Sequence, residues 1–160
     1  MVGIEVLERV TLLEKLTRDQ LEKIQPLCES LAYRRDQQIF QEGEDAEHIF
    51  FVARGKVALR FELPGRTSGS ETNMTTIVAG KSFGWSSLVE PFEYALSAYG
   101  ASDDCRVCRV RSADLIELFD RHPDIGYGFM SVLARMISKR FHALQDEMAR
   151  IQGYSIIEKW

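Results

Sequence analysis

The chain has 160 residues, a length that favours one domain with room for an appended helix and is large enough for a core without disulfide or metal staples. Lys plus Arg number 20 and Asp plus Glu 24, giving a net charge of -4, which argues against a dedicated nucleic-acid domain. No uncharged apolar run approaches the roughly 18 residues of a spanning helix, and the acidic, amphipathic start MVGIEVLERV is unlike a signal peptide.

From Ile4 to about Cys28, Leu7, Val10, Leu13 and Leu16, then Leu21, Ile24 and Leu27, recur at near-helical spacing among charged residues. The pattern predicts two short amphipathic helices within an N-terminal segment 1–30. Thr17 and Gln20 have capping-box spacing at the start of the second, and Pro26 bends or closes it.

Between Leu31 and Val110, over a segment 31–111, short apolar runs alternate with Gly, Asp, Ser and Pro, an antiparallel β pattern. The clearest strands are His48 to Val52, Lys56 to Leu63, Thr75 to Ala79, Leu96 to Ala101 and Arg106 to Val110. In the second of these, Val57, Leu59, Phe61 and Leu63 alternate with Ala58, Arg60 and Glu62, so one face is apolar and the other mixed. Pro64 to Asn73 has turn chemistry and reads as a hairpin tip.

Helical periodicity returns over 112–152, first as Ser112 to Phe119 with Ser112 as N-cap, then as a long helix from about Pro123. There Ile125, Phe129, Leu133, Met136 or Ile137, Phe141, Leu144, Met148 and Ile151 recur every three or four residues. A stripe that long outruns a small β core, so the second partner is expected to be the same helix of another copy, making a homodimer. The alternative is a helix folded wholly onto its own domain. Arg135, Lys139 and Arg140 read as a solvated or dimer-flanking face, and residues 153–160 as a tail.

The order Ile39, Phe40, Glu42, Gly43, Glu44, Ala46, Ile49, Phe50, Phe51, Val52, Gly55 and Val57, continued by Gly80, Phe83 and Gly84, resembles the cyclic-nucleotide-binding domain family, which includes catabolite activator proteins. Gly43 and Gly55 stand where tight turns need positive φ. The resemblance implies a mainly β fold with flanking helices: a jelly-roll-like β-roll (double-stranded β-helix) with N-terminal helices and a long C-terminal dimerisation helix, all in one domain, 1–160. It also implies a ligand site on the short helix after Phe83-Gly84, so the candidate ligand-binding residues are Phe83, Gly84, Trp85, Ser86, Ser87 and Leu88, with Ala95, Leu96 and Ser97. A helix start offers free N–H groups to an anion, and Ser86 and Ser87 would add hydroxyls.

Two departures separate this chain from the family members that bind cyclic AMP or cyclic GMP. Those place a Glu directly after Phe-Gly for the ribose and an Arg about ten residues later for the phosphate. Here Trp85 and, in the best register, Ala95 occupy these places, and no Arg or Lys lies between Lys81 and Arg106. Losing the cation from a buried ion pair costs about 3 to 5 kcal/mol, so tight cyclic-nucleotide binding through the usual contacts is not expected. Trp85 reads either as a plug that fills the vacated pocket, the favoured reading, or as a stacking wall for another ligand. Tyr94 and Ser97 could supply hydroxyls in either case.

The expected function is therefore a stand-alone, non-catalytic sensor domain in the cytoplasm, signalling to a protein partner through a ligand-modulated dimer surface. The ligand is a cyclic nucleotide or another small molecule of unknown identity, and only eight residues from Gly153 to Trp160 follow the long helix, too few for a DNA-reading helix. The alternatives are a protein-interaction module with a closed pocket and a metal-dependent cupin-like enzyme. Against the latter, His48, His122 and His142 form no ligand constellation. Cys105 and Cys108, three apart on a strand, should point to opposite faces, and three cysteines fit neither a disulfide framework nor a four-cysteine cluster, so no metal is expected.

Overall fold

The computed structural model describes residues 1–62, 65, 69 and 72–153. Two four-stranded antiparallel sheets form the body. In chain order the strands are β1 (Cys28–Tyr33), β2 (Gln38–Phe40), β3 (His48–Arg54), β4 (Lys56–Arg60), β5 (Asn73–Val78), β6 (Ser82–Phe83), β7 (Ser97–Gly100) and β8 (Cys105–Arg111). One sheet runs β1-β8-β3-β6 and the other β2-β7-β4-β5. Gly43 and Gly55 have φ of +86° and +75°, as the turn reading expects. At Gly55 a Cβ would also stand 2.4 Å from the Asp104 carbonyl oxygen, so no larger residue fits.

The helices pack on the outside of the first sheet. They are α1 (Ile4–Leu7), α2 (Arg18–Ile24), α3 (Ser112–Arg121) and α4 (Pro123–Ile151). At the start of α2 the Thr17 hydroxyl accepts from the Gln20 N–H and the Gln20 side chain accepts from the Thr17 N–H, the expected capping box. The α-helix ends at Ile24 and a 3-10 turn, Gln25–Leu27, carries Pro26. Cys28 is not the last residue of that helix but the first of β1. Between them, Val10 to Leu13 form a turn and a short 3-10 segment, not a continuation of the first helix.

The central strands β3 and β8 of the first sheet are buried on both sides, and their side chains alternate between two cores. On β3, Ile49 and Phe51 face the helices while Phe50 and Val52 face the interior of the roll. On β8, Cys108 and Val110 join the helical core while Cys105 and Val107 join the roll. This is why these strands read as apolar runs instead of clean alternations. It also places the two cysteines of the C-x-x-C pair on opposite faces. All three cysteines are free thiols. The hydrogen bond with Cys28, reinforced by burial, pushes the Cys108 thiol far above its usual value, and burial pushes Cys105 up.

Two local expectations are corrected. β4 ends at Arg60 instead of reaching Leu63, which lies outside the described residues, as does most of the 64–73 hairpin tip. The mixed face of β4 carries a buried cation: Arg60 is bonded to Asn73 Oδ1 at 2.7 Å and Asp36 Oδ1 at 2.8 Å, with its guanidinium 4.6 Å from the Tyr99 ring centre. Ser112 does not cap α3. It is the first helical residue, after Arg111, and its hydroxyl turns inward to Ser87.

α4 divides its apolar residues between two faces. Ile125, Phe129, Val132 and Leu133 are buried in the helical core, with Met136 and Ile137 packed at its edge. Met130, Phe141, Leu144, Met148 and Ile151 are exposed. The tail 154–160 lies outside the described residues. No helix among the described residues is long and apolar enough to cross a membrane.

Candidate functional site

The residues that follow Phe83 build the site. Gly84 has φ of +77°, and a Cβ there would meet Phe50 Cδ2 at 3.0 Å and the His48 carbonyl oxygen at 3.1 Å. A side chain would therefore add a clash to an unfavourable backbone conformation. Gly84 caps a four-residue 3-10 turn, Trp85–Leu88. This is shorter than the helix expected to present several donors to an anion.

The turn divides its residues between two neighbours. Trp85 and Leu88 pack against the helical core. The Ser87 hydroxyl donates to the Gly84 carbonyl at 2.9 Å and stands 2.6 Å from the Ser112 hydroxyl, out of reach of a ligand in the roll. Gly84, Trp85 and Ser86, together with Ala95 and Leu96, line a cavity of about 270 Å³ whose remaining walls are Phe40, Leu59, Phe61, Met74, Tyr94 and Arg140. Trp85 forms one wall of this space and packs against the helical core, which holds the turn down.

Beneath the cavity lies an aromatic stack. Phe40 and Tyr94 are nearly parallel, with ring centres 3.7 Å apart and an angle of 9°. Phe50 stacks on Phe83 at 4.9 Å. Phe83 thus supports the floor without lining the cavity. The Tyr94 hydroxyl is committed to the backbone of His48, donating to its carbonyl at 3.0 Å and accepting from its N–H at 3.3 Å. Burial raises the pKa of this phenol, which stays protonated. Ser97 is fully buried, accepts from the Glu42 N–H at 2.8 Å, and with Tyr99 holds the Glu62 carboxyl below the usual carboxylate range. Neither hydroxyl is left for a ligand.

Of the nine candidate residues, then, Gly84, Trp85, Ser86, Ala95 and Leu96 meet at one cavity, while Phe83, Ser87, Leu88 and Ser97 support it from behind. Leu59 and Phe61 were legible as the inward face of their strand, but nothing local pointed to Phe40 or Met74 as walls. Arg135, Lys139 and Arg140 are all exposed, in keeping with a solvated or dimer-flanking face; Arg140 in addition lines the cavity, and Arg135 reaches Glu14. Arg140 is exposed at the cavity's edge, and the protein around it lowers its pKa by desolvation. Among the described residues, no group of three or more His, Cys, Asp or Glu side chains is placed to hold a metal ion.

Comparison with known proteins gives the same architecture. No curated protein matches the chain. A solved protein of Geobacter metallireducens, described as a candidate cyclic nucleotide-binding protein, is 26% identical, with 89% of this chain and 100% of that one covered and a TM-score of 0.73. A cyclic nucleotide-binding domain from Methylobacillus flagellatus superposes with a TM-score of 0.76 at 17% identity, over 91% of this chain and 83% of its own. The catabolite activator protein of Thermus thermophilus gives 0.69 at 22% identity, over 84% of this chain and 62% of its own. Residues 30–122, more than half the chain and all eight strands but the first residues of β1, match the family profile described as cyclic nucleotide-binding domain. With the roll, the glycine-capped turn and the cavity above it, this match makes the chain a member of the cyclic nucleotide-binding domain family.

Proposed function

We propose that this protein is a non-catalytic regulatory domain, one unit from the N-terminal helices through α4, that binds a small molecule in the roll and passes the binding event to α4. The observation that carries this reading is the cavity of about 270 Å³ enclosed jointly by the turn at Gly84, the loop at Ala95 and α4 through Arg140. A ligand there touches the roll and the long helix at once. If its affinity differs between two placements of α4, it shifts their populations.

The output surface in this reading is the exposed face of α4, paired with a second copy. Met130, Ala134, Ile137, Phe141, Leu144, Met148 and Ile151 follow alternating steps of four and three, the spacing of a left-handed coiled-coil seam. Phe141, Leu144, Met148 and Ile151 lie on the part of α4 beyond the packed helical core, and all four are exposed. A matching helix is the partner such a seam selects. The net charge of -4 favours a protein and not a nucleic acid as the downstream partner, and three free thiols suit the reducing cytoplasm.

Cyclic AMP and cyclic GMP are weak candidates, since Trp85 and Ala95 stand where the ribose and phosphate partners are expected. Thermal melts with cyclic mononucleotides and a metabolite panel test the reading, because a ligand that binds only the folded state raises its melting temperature. A saturable shift supports a sensor. Flat melts across the panel would instead favour a permanently empty interaction module.

A further inference from the structure

We propose that the cavity is a site for an aromatic monocarboxylate, with the ring between the walls at Tyr94 and Trp85 and the carboxylate on the Arg140 guanidinium. This deepens the ligand-binding reading and rests on it.

The walls set the body of the ligand. Apart from Arg140, the side chains are mainly carbon: Phe40, Leu59, Phe61, Met74, Trp85 and Leu96. The one tyrosine hydroxyl at the site is already satisfied by the His48 backbone. Ser86 is the other hydroxyl in the lining. A sugar or purine entering here would leave several polar groups without partners, each costing more than its bond in water returned. A flat hydrocarbon ring has no such groups and gains the offset or edge contacts that aromatic walls favour.

The charge sets the rest. Among the described residues, Arg140 is the only cation that lines the cavity, and no carboxylate lines it. On α4, Arg135 pairs with Glu14 and Arg150 with Glu147, whereas Arg140, like Lys139, has no ion pair among the described residues. Arg140 is exposed and stands at the edge of the cavity. An unpaired guanidinium beside an apolar space is well satisfied by a planar anion that accepts two parallel N–H bonds. One cation matches one negative charge. A phosphate monoester would bring nearly two into an apolar site, so the carboxylate is the better match. Arg140 directly precedes Phe141 of the exposed seam, so a ligand that holds Arg140 also holds α4.

Calorimetric titration of the full chain with indole-3-acetate and 3-phenylpropionate tests this, with their primary amides, phenyl phosphate and cyclic AMP as comparison ligands. The acids should bind roughly ten- to a hundredfold more tightly than the amides, the range expected for hydrogen bonds to a charged group. Arg140→Gln should bring the acids down to the affinity of the amides, and Arg140→Lys should keep part of the preference. Equal binding of acids and amides, acid affinity indifferent to Arg140→Gln, or preferential binding of phenyl phosphate or cyclic AMP would overturn the inference while leaving a ligand-binding cavity. If no compound binds, the inference falls, and the sensor reading is decided separately by the melts with the metabolite panel.

Discussion

The hydroxyls of Ser87 and Ser112 are 2.6 Å apart in a buried contact, and Ser87 in turn donates to the Gly84 carbonyl at 2.9 Å. This three-member chain ties the cavity's turn to the first residue of α3, so the turn and the helices that lead into α4 share one polar link. Ser112→Ala removes a single bond and is expected to cost about 1 kcal/mol. Ser87→Ala should cost more, up to about 3 kcal/mol, because it leaves the buried Ser112 hydroxyl without a partner. Urea unfolding of the two variants measures the difference, and equal losses would dismiss the chain.

Gly84 is a backbone requirement. Gly84→Ala places a side chain at φ of +77° and within 3.1 Å of the His48 carbonyl oxygen. The left-handed conformation alone is worth about 1 to 2 kcal/mol against a Cβ, and the contact adds to it. We expect a loss of at least that size in chemical denaturation, and a loss of less than about half of it would mean that the turn relaxes freely.

Restoring the family's polar groups tests the alignment of the site. Trp85→Glu with Ala95→Arg puts a carboxylate and a guanidinium on two residues that line the same cavity. Calorimetry should then detect cyclic AMP binding that is stronger than in the parent chain, by roughly two decades if the buried phosphate pair re-forms. A folded double variant with unchanged affinity would show that Ala95 is not the phosphate position.

His48 should make stability depend on pH. Burial, followed by the Arg109 guanidinium, pushes its imidazole below the usual value, with Arg111 acting the same way and Glu47 and Glu29 opposing. The folded state therefore binds the proton less readily than the unfolded chain. This group's contribution is present above the unfolded value of about 6.5 and is lost as pH falls through it toward the lower folded value. The melting temperature of the parent should drop more steeply than that of His48→Gln between about pH 7.5 and about pH 5. Parallel curves would remove His48 from the account.

The exposed seam of α4 predicts the assembly. Phe141 and Leu144 are 50% and 43% exposed in the single chain, and covering the remainder is worth about half of the roughly 1.5 to 3 kcal/mol of a full burial, for each. Analytical ultracentrifugation should find a dimer that Phe141→Lys with Leu144→Lys converts to a monomer of unchanged β content. A parent chain that sediments as a monomer at high concentration would end the coiled-coil reading.

Local chemistry was enough for much of this fold. The Thr17–Gln20 box, the turns at Gly43 and Gly55, the opposite faces of Cys105 and Cys108, and the position of each main strand follow from side-chain types and periods of two or 3.6, which act over a few residues. Strand ends were read less well, since Arg60 closes β4 where alternation alone continued to Leu63. What only the folded chain decided is which distant groups share a space. Ser87 and Ser97 are small and polar, as ligand contacts often are, yet their hydroxyls are used up by Gly84, Ser112, Glu42 and Glu62. Arg140 looked like one more surface cation on a helix, and the lack of any cation between Lys81 and Arg106 described the local segment correctly. Packing of α4 against the first sheet carries Arg140 to the roll across a long stretch of chain, and no periodicity in the sequence encodes such a meeting, because it is fixed by the path of the backbone between the two and by the cores that hold it.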